Sequence, residues 1–399
     1  MERAYDTRLS VHLAEDRQMA MVTGPRQVGK TTSARASAGD HHYLTWDRQP
    51  DRRLLLQGAD AVAQELGLET LSGSPRHVVF DEIHKYRKWK DFLKGFFDVY
   101  GEKTRLVVTG SARLGFFRRG GDSLMGRYFL YRMHPLSVAE IVRAQIAETE
   151  TSQPLIPPAD GIDQLLRFGG FPEPFLKATT RFHNRWRRLR NELLFREDLR
   201  DLTQIQEAGQ VEVLGDLLAS RAGQLLNYSA LANDINASVD TVRRWIGTLE
   251  SLFYCYTLRP WFRNVPKSLR KQPKVYLWDW SLVAEPGARR ENFVASHLLK
   301  AVHWWTDAGF GTFDLRYLRD KAKREVDFVV VRDGTPWFLV EVKTSGRREI
   351  SSALRHFHQV LDTSNAFQLS FDLDFVDEDC FSVAEPVRVP AATMLSQLV

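Results

Sequence analysis

The chain reads as an α/β protein built on a parallel sheet, with further domains behind it. Three observations predict this. Short apolar runs alternate with helical patterns over the first quarter of the chain, the arrangement of βαβ units. The first run, Met19-Ala20-Met21-Val22, leads into Gly24-Pro25-Arg26-Gln27-Val28-Gly29-Lys30-Thr31 and then into a helix-forming stretch, Thr32 to Ala36. A later run, His77 to Phe80, ends in the adjacent acids Asp81 and Glu82.

Composition sets the outer limits. A chain of 399 residues suggests two to four domains. An apolar content of 43% with 26% charged residues is that of a globular protein. No uninterrupted apolar stretch has transmembrane length, and Met1-Glu2-Arg3-Ala4-Tyr5-Asp6 lacks the apolar core of a signal peptide, so no membrane partner is expected. The two cysteines, Cys255 and Cys380, lie far apart without metal-ligand spacing. That argues against a disulfide framework or a zinc site and suits a reducing cytoplasm. A net charge of +5 and a pI near 9.1 permit nucleic-acid binding without proving it.

The Gly24–Thr31 stretch fits G-x-x-x-x-G-K-[ST], a loop that wraps nucleotide phosphates. Its glycines let the backbone turn N–H groups toward an anion, and the following helix places its positive dipole end there. Gly24, Pro25, Arg26, Gln27, Val28, Gly29, Lys30, Thr31 and Thr32 are the candidate nucleotide-binding residues. Lys30 would reach the β- and γ-phosphates of ATP, and the Thr31 hydroxyl would ligate Mg2+. Asp81 is placed to hold the Mg2+ shell, and Glu82 to polarise the attacking water. A third strand, Arg105 to Thr109, ends in Gly110-Ser111-Ala112-Arg113, so Ser111 or Thr109 could sense the γ-phosphate. Arg113 and Arg127 are candidate charge-stabilising arginines, acting in cis or from a neighbouring subunit, with a solvated surface cation as the alternative for each. His41 to Asp47 adds a fourth strand.

These motifs, with Leu124-Met125-Gly126-Arg127, His134-Pro135-Leu136-Ser137-Val138-Ala139-Glu140 and Gly169-Gly170-Phe171-Pro172-Glu173, resemble prokaryotic AAA-type ATPases of the AAA_14/DUF4143 group. The resemblance runs from about residue 15 to about residue 345. It implies an AAA-type P-loop core over 1–145, a helical lid or linker over 146–208, a winged helix-turn-helix over 209–265 and a DUF4143-type nuclease-like domain over 266–399. It also implies a homo-oligomer.

The middle of the chain supports that division. Ala147 to Pro158 is polar and then proline-rich, an exposed loop or hinge. Residues 160–205 read as helices. Within them Arg181 to Arg190 is basic with interleaved aromatics. It is either a phosphate-contacting helix or, by preference, a solvated face whose Trp186 and Leu189 pack inward. Tyr228–Ile235, the turn Asn236–Val239 and Asp240–Glu250 read as a helix-turn-helix, and Phe253–Leu258 as its wing. Thr241, Arg243 and Arg244 sit where such units touch DNA, though many winged helices only pack against protein. Lys267, Arg270, Lys271 and Lys274 form a basic connector, and Lys274 to Asp279 reads as a strand entering the last domain.

That last domain contains a hairpin, Glu325–Val331 and Trp337–Lys343 around a turn at Asp333-Gly334. Glu341 and Lys343 point to one face and can converge with Asp327 on the adjacent strand. With Glu291 at a helix start, the set resembles the PD-(D/E)xK nuclease fold. The resemblance implies a second Mg2+ or Mn2+ held by Glu291, Asp327 and Glu341, with Lys343 positioning a water. The alternative is a salt-bridged remnant of such a site. Arg319, Lys321, Lys323, Arg324, Arg347 and Arg348 flank the hairpin, as a polyanion would require. The expected fold is therefore α/β: P-loop domain with parallel sheet, helical linker, winged helix and restriction-endonuclease-like α/β domain. The expected partners are ATP and DNA, with RNA as the alternative polymer.

Overall fold

The computed structural model describes residues 1–70, 74–110, 124–143, 149–199, 207–262 and 272–399. The chain divides into two compact units, Met1–His134 and Pro135–Val399.

The first unit runs α1 (Ala4–Glu15), β1 (Met19–Thr23), α2 (Lys30–Ser37), β2 (His41–Thr45), α3 (Gln49–Gln57), α4 (Ala59–Glu65), β3 (Arg76–Asp81), α5 (Trp89–Tyr100), β4 (Thr104–Gly110) and β5 (Tyr128–Arg132). All five strands are parallel, in the order β2-β3-β4-β1-β5. β5, beyond the four expected strands, is paired with β1 at the edge of the described sheet and half exposed along its length. The central strands are buried on both faces: Met19 to Val22, Val78 to Phe80 and Leu106 to Val108 are at most 1% exposed. That is why they read as continuous apolar runs. α5 covers one face with Trp89, Phe92, Leu93, Phe96 and Phe97, the three- and four-residue spacing of a helical stripe. Phe80 meets Phe92 and Phe96 edge to face, at 5.8 and 5.5 Å between ring centres. Each buried ring of this kind is worth roughly 1.5–3 kcal/mol. The register sets Asp81 level with Thr109 and Thr23 level with Gly110, so the carboxyl ends of β1, β3 and β4 form one rim.

The second unit opens with helices α6 (Val138–Val142), α7 (Gly161–Phe168), α8 (Pro172–Lys177) and α9 (Thr180–Glu192), the last continuing as a π-helical turn over Leu193–Asp198. It proceeds through α10 (Ala208–Ser220), α11 (Tyr228–Asp234), α12 (Val239–Ser251), β6 (Cys255–Leu258) and β7 (Lys274–Leu277). It ends with α13 (Pro286–Asp307), β8 (Phe313–Arg319), β9 (Glu325–Arg332), β10 (Thr335–Lys343), α14 (Ser352–Leu361), β11 (Asn365–Ser370), β12 (Val387–Pro390) and α15 (Ala391–Gln397). The terminal sheet has the order β12-β11-β10-β9-β8, antiparallel between β8, β9 and β10 and parallel from β10 to β12. No described helix is long and apolar enough to cross a membrane.

Two expectations need correction, on β7 and on α9. The first compact unit closes at His134. The α6 segment belongs to the second unit: the Val138 N–H donates to His297 Nε2 at 3.0 Å, Lys300 donates to Ser137 Oγ at 2.8 Å, and Lys300 pairs with Glu140 in a buried salt bridge. Residues 149–158 form a loop, as expected, and it is tied down at two points. Trp305 Nε1 donates to the Glu150 carbonyl at 2.6 Å, and the Ser152 N–H to the Gln397 carbonyl at 2.9 Å. β7 does not enter the terminal sheet. It pairs antiparallel with β6 and closes the winged helix. On α9, Trp186 is buried as expected, but Leu189 is 51% exposed and Arg190 goes inside instead. The Arg190 guanidinium lies 4.1 Å from the Phe171 ring centre and 3.4 Å from Asp279, so a cation takes the place an apolar side chain was expected to fill.

Candidate functional site

The Gly24–Lys30 loop leaves β1 and opens α2, and its backbone is held in forms few residues adopt. Gly24 has φ +154°, Gln27 φ +63° and Gly29, the residue that caps α2, φ +105°. A side chain at Gly24 would place its Cβ 2.3 Å from the Met133 carbonyl oxygen. The Met133 N–H is bonded to the Thr23 carbonyl at 2.7 Å, which keeps that residue close to the loop. Arg3, which the sequence did not single out, is buried and donates to the Val28 carbonyl and to the His134 carbonyl, each at 2.7 Å. It ties the N-terminal helix to the loop and to the chain leaving β5. Lys30, 7% exposed, turns back over the loop and donates to the carbonyls of Gly24 and Pro25 at 3.0 and 2.8 Å.

Asp81 is the meeting point of four elements. Its buried carboxylate accepts from Thr31 at the start of α2 (3.0 and 3.2 Å), from the Tyr43 phenol on β2 (2.6 Å), and from Thr109 on β4 by a short hydrogen bond. Burial and the bond to Asp81 push the Tyr43 phenol well above its ordinary pKa, so it remains a donor. Glu82 follows in a left-handed backbone conformation, φ +54°. Its Oε2 is buried without a hydrogen bond, with Lys85 at 3.6 Å and His84 at 3.7 Å. Burial raises the Glu82 pKa; Lys30 and Lys85 pull it back, and Asp81 pushes it further up. A hydroxyl and a carboxylate meeting beside a phosphate-binding loop are the hard oxygen donors that Mg2+ takes. The residues present fit that ion.

Of the remaining candidates, Ser111 and Arg113 lie outside the described residues. Arg127 sits at the amino end of β5: its carbonyl accepts from the Met19 N–H at 2.9 Å, where β1 begins. The loop lies past the other end of β1, four residues or roughly 13 Å away. Arg127 instead pairs with Asp98 at 2.6 Å. A cis role for it is thus excluded by position.

In the second unit the hairpin has the expected form, with Val340 opposite Phe328, so Asp327 and Glu341 lie on neighbouring strands. Asp327 accepts from the Val342 N–H at 2.9 Å, and Lys343 pairs with Glu341 at 2.5 Å. Glu291 projects from α13, and the Tyr276 phenol donates to it at 2.8 Å. Two further residues complete the cluster. Lys274 reaches Glu325 at 2.7 Å, Glu291 at 3.5 Å and Asp327 at 3.8 Å. Burial and the neighbouring Glu291 drive the Asp327 carboxyl up to about 7, against the pull of Lys274. Among the described residues no group of three or more His, Cys, Asp or Glu has metal-holding geometry. With Lys274 against Glu291 and Asp327, and Lys343 against Glu341, these three carboxylates do not fit a divalent ion as arranged.

The helix-turn-helix is as expected. Asn227 and Ser238 cap α11 and α12, accepting from the N–H of Ala230 and of Thr241 at 3.1 Å each. Val242, Trp245, Ile246 and Leu249 face inward, and Arg243 and Arg244 are exposed. Arg243 lies over the Tyr228 ring. Of the basic connector, Lys267, Arg270 and Lys271 lie outside the described residues.

A strand order of this kind, with Thr31 and Asp81 meeting at the rim beside a Gly-rich loop, places the first unit among P-loop ATPase domains. Residues 16–142 match the AAA domain family AAA_14, residues 159–286 the domain of unknown function DUF8612, and residues 286–378 the domain of unknown function DUF4143. The chain thus carries an AAA-type P-loop domain of the AAA_14 family followed by a DUF4143 domain. It is 25% identical over 352 residues to the uncharacterized proteins Rv2008c of Mycobacterium tuberculosis and Mb2031c of Mycobacterium bovis, covering 84% of this chain and 73% of each relative. Similar solved structures include the Walker-type ATPase PABY2304 of Pyrococcus abyssi, with TM-score 0.41, 14% identity, and coverage of 72% of this chain and 95% of that one. AMPPCP-bound DnaA from Aquifex aeolicus has TM-score 0.29, 13% identity, and coverage of 61% and 86%. Likenesses this distant carry no functional weight.

Proposed function

We propose that the chain binds ATP with Mg2+ and hydrolyses it, and that this cycle governs nucleic-acid binding by the second unit. The observation that carries the reading is the contact of Thr31 with Asp81 at the mouth of the loop. The backbone of Gly24–Thr32 cradles the phosphates, and Lys30 releases its two loop carbonyls to meet the β- and γ-oxygens. Thr31 and Asp81 would hold Mg2+, which when bound neutralises charge on the phosphates. Tyr43 and Thr109 orient Asp81. Glu82, buried with an unbonded oxygen, accepts the proton of the attacking water. Arg127 contributes only from a neighbouring copy, in a homo-oligomer. Arg243 and Arg244, exposed on α12, support contact with DNA, with RNA as the alternative polymer. The proposal includes a cytoplasmic location, which two free, buried thiols favour.

The test compares wild type, Lys30→Ala and Glu82→Gln with ATP and Mg2+, reading phosphate release and binding to DNA and RNA over a salt series. Wild type should release phosphate and Lys30→Ala should not. Glu82→Gln should keep nucleotide binding while phosphate release falls roughly 10²- to 10⁴-fold. Release that is indifferent to Lys30→Ala sinks the ATPase reading. Absence of salt-sensitive binding to either polymer removes the nucleic-acid role and leaves the winged helix as a protein-docking module.

A further inference from the structure

Three carboxylates of the second unit, Glu291, Glu325 and Asp327, converge on the protein's own ammonium, that of Lys274. Lys274 begins β7, where its backbone is paired on two sides, with Leu258 of β6 and with Leu225. Its side chain is 4% exposed and runs beside the Tyr317 ring, whose centre is 5.6 Å from Nζ. The ammonium then meets Glu325 at 2.7 Å, Glu291 at 3.5 Å and Asp327 at 3.8 Å.

The other donors to these carboxylates are already allotted. Tyr276 donates to Glu291, the Val342 N–H to Asp327, and Arg319 to Glu325 at 3.0 Å. Lys343, which would position a water in a nuclease, is paired with Glu341. A divalent ion needs oxygens at about 2.0–2.6 Å and several waters. The Lys274 ammonium stands against two of the three candidate carboxylates, Glu291 and Asp327, and repels a second cation. The hydrogen-bonded pair with Glu325, with Glu291 and Asp327 close by, offsets the cost of burying the ammonium.

We propose that Lys274 acts as a tethered cation in place of a divalent metal, so that the terminal sheet domain does not cleave phosphodiester bonds. The inference stands whether or not the first unit hydrolyses ATP, and its test uses no nucleotide.

Mn2+ bound to the full-length chain is counted by electron paramagnetic resonance, in an Asp81→Asn background that removes the first unit's metal ligand. With Lys274 present, Glu291→Gln should leave the Mn2+ count unchanged. Lys274→Gln should gain one Mn2+ per chain, and adding Glu291→Gln should remove it again. A Mn2+ site in the Lys274 protein that Glu291→Gln abolishes overturns the proposal, as does a folded Lys274→Gln that gains no site. Should Lys274→Gln not fold, Glu291→Gln and Asp327→Asn in the Lys274 background decide: an unchanged count supports the proposal and a lost site overturns it. DNA cleavage by wild type with Mn2+ that disappears in Glu341→Ala also overturns it.

Discussion

Gly24 is held to its identity by two separate constraints, its φ of +154° and the Met133 carbonyl 2.3 Å from any Cβ. Gly29 shares only the first: a Cβ there would meet nothing nearer than the Met133 methyl at 3.4 Å. Gly24→Ala should therefore be the more damaging change, displacing β5 from β1 and abolishing nucleotide binding. Gly29→Ala should show backbone strain alone, roughly 1–3 kcal/mol. Denaturation midpoints and nucleotide titration of the two variants check the order, and equal damage would show that the Met133 contact is soft. The loop and the Asp81-Glu82 pair were legible in the sequence because their chemistry is written in contiguous residues. Arg3 and Tyr43 were not. They reach the site across 25 and 38 residues of chain, and nothing local marks them.

At the scale of elements, α5 and β3 show which signals carry. The helix stripe of α5 and the fully buried run of β3 each state their environment by period. Phe96, fully buried against Phe80, Phe92 and Tyr100, should cost about 3–5 kcal/mol on truncation to alanine. Val99 on the same helix, 65% exposed, should cost within about 0.5 kcal/mol on the same change. Urea denaturation of both variants measures the difference, and similar losses would mean α5 is not docked through that face. β7 shows the limit of such reading. Lys274-Val275-Tyr276-Leu277 announces a strand, but only pairing decides its partner, and it took β6 rather than the terminal sheet. On α9 the period placed Leu189 inside, whereas Arg190 found Asp279 and two aromatic rings and took the buried position.

At the scale of the whole molecule, buried titratable groups link folding to pH. His297 is locked as the neutral ring. Nε2 accepts the Val138 N–H at 3.0 Å, so the proton sits on Nδ1, facing the Phe293 carbonyl at 2.7 Å. Burial drives its pKa down to about 3. The unfolded chain takes up this proton below about 6.5 and the folded chain does not, so acid favours unfolding between those values. The slope from this group is about 1.4 kcal/mol per pH unit. Asp327, raised to about 7, takes up its proton in the folded state as the pH falls through that value and opposes that slope down to its unfolded pKa of about 3.9. Wild type therefore shows a blunted dependence, and the histidine is read from the difference between wild type and His297→Gln. Stability should be lost on going from pH 7 to pH 5 more steeply in wild type than in the variant. Parallel curves would show that His297 titrates normally.

By itself the sequence determined the P-loop, the acid pair, the helix-turn-helix and the carboxylate hairpin, because each rests on spacing within a short stretch. Tertiary structure alone decided which distant side chains complete those sites. It brought Tyr43 and Thr109 to Asp81, carried Arg127 to the wrong end of the sheet for a cis role, and set Lys274 among Glu291, Glu325 and Asp327. The reason is physical: spacing along a strand or helix determines which face a residue shares with its neighbours. Which charge arrives from another element depends on packing and on the need to pair every buried ion.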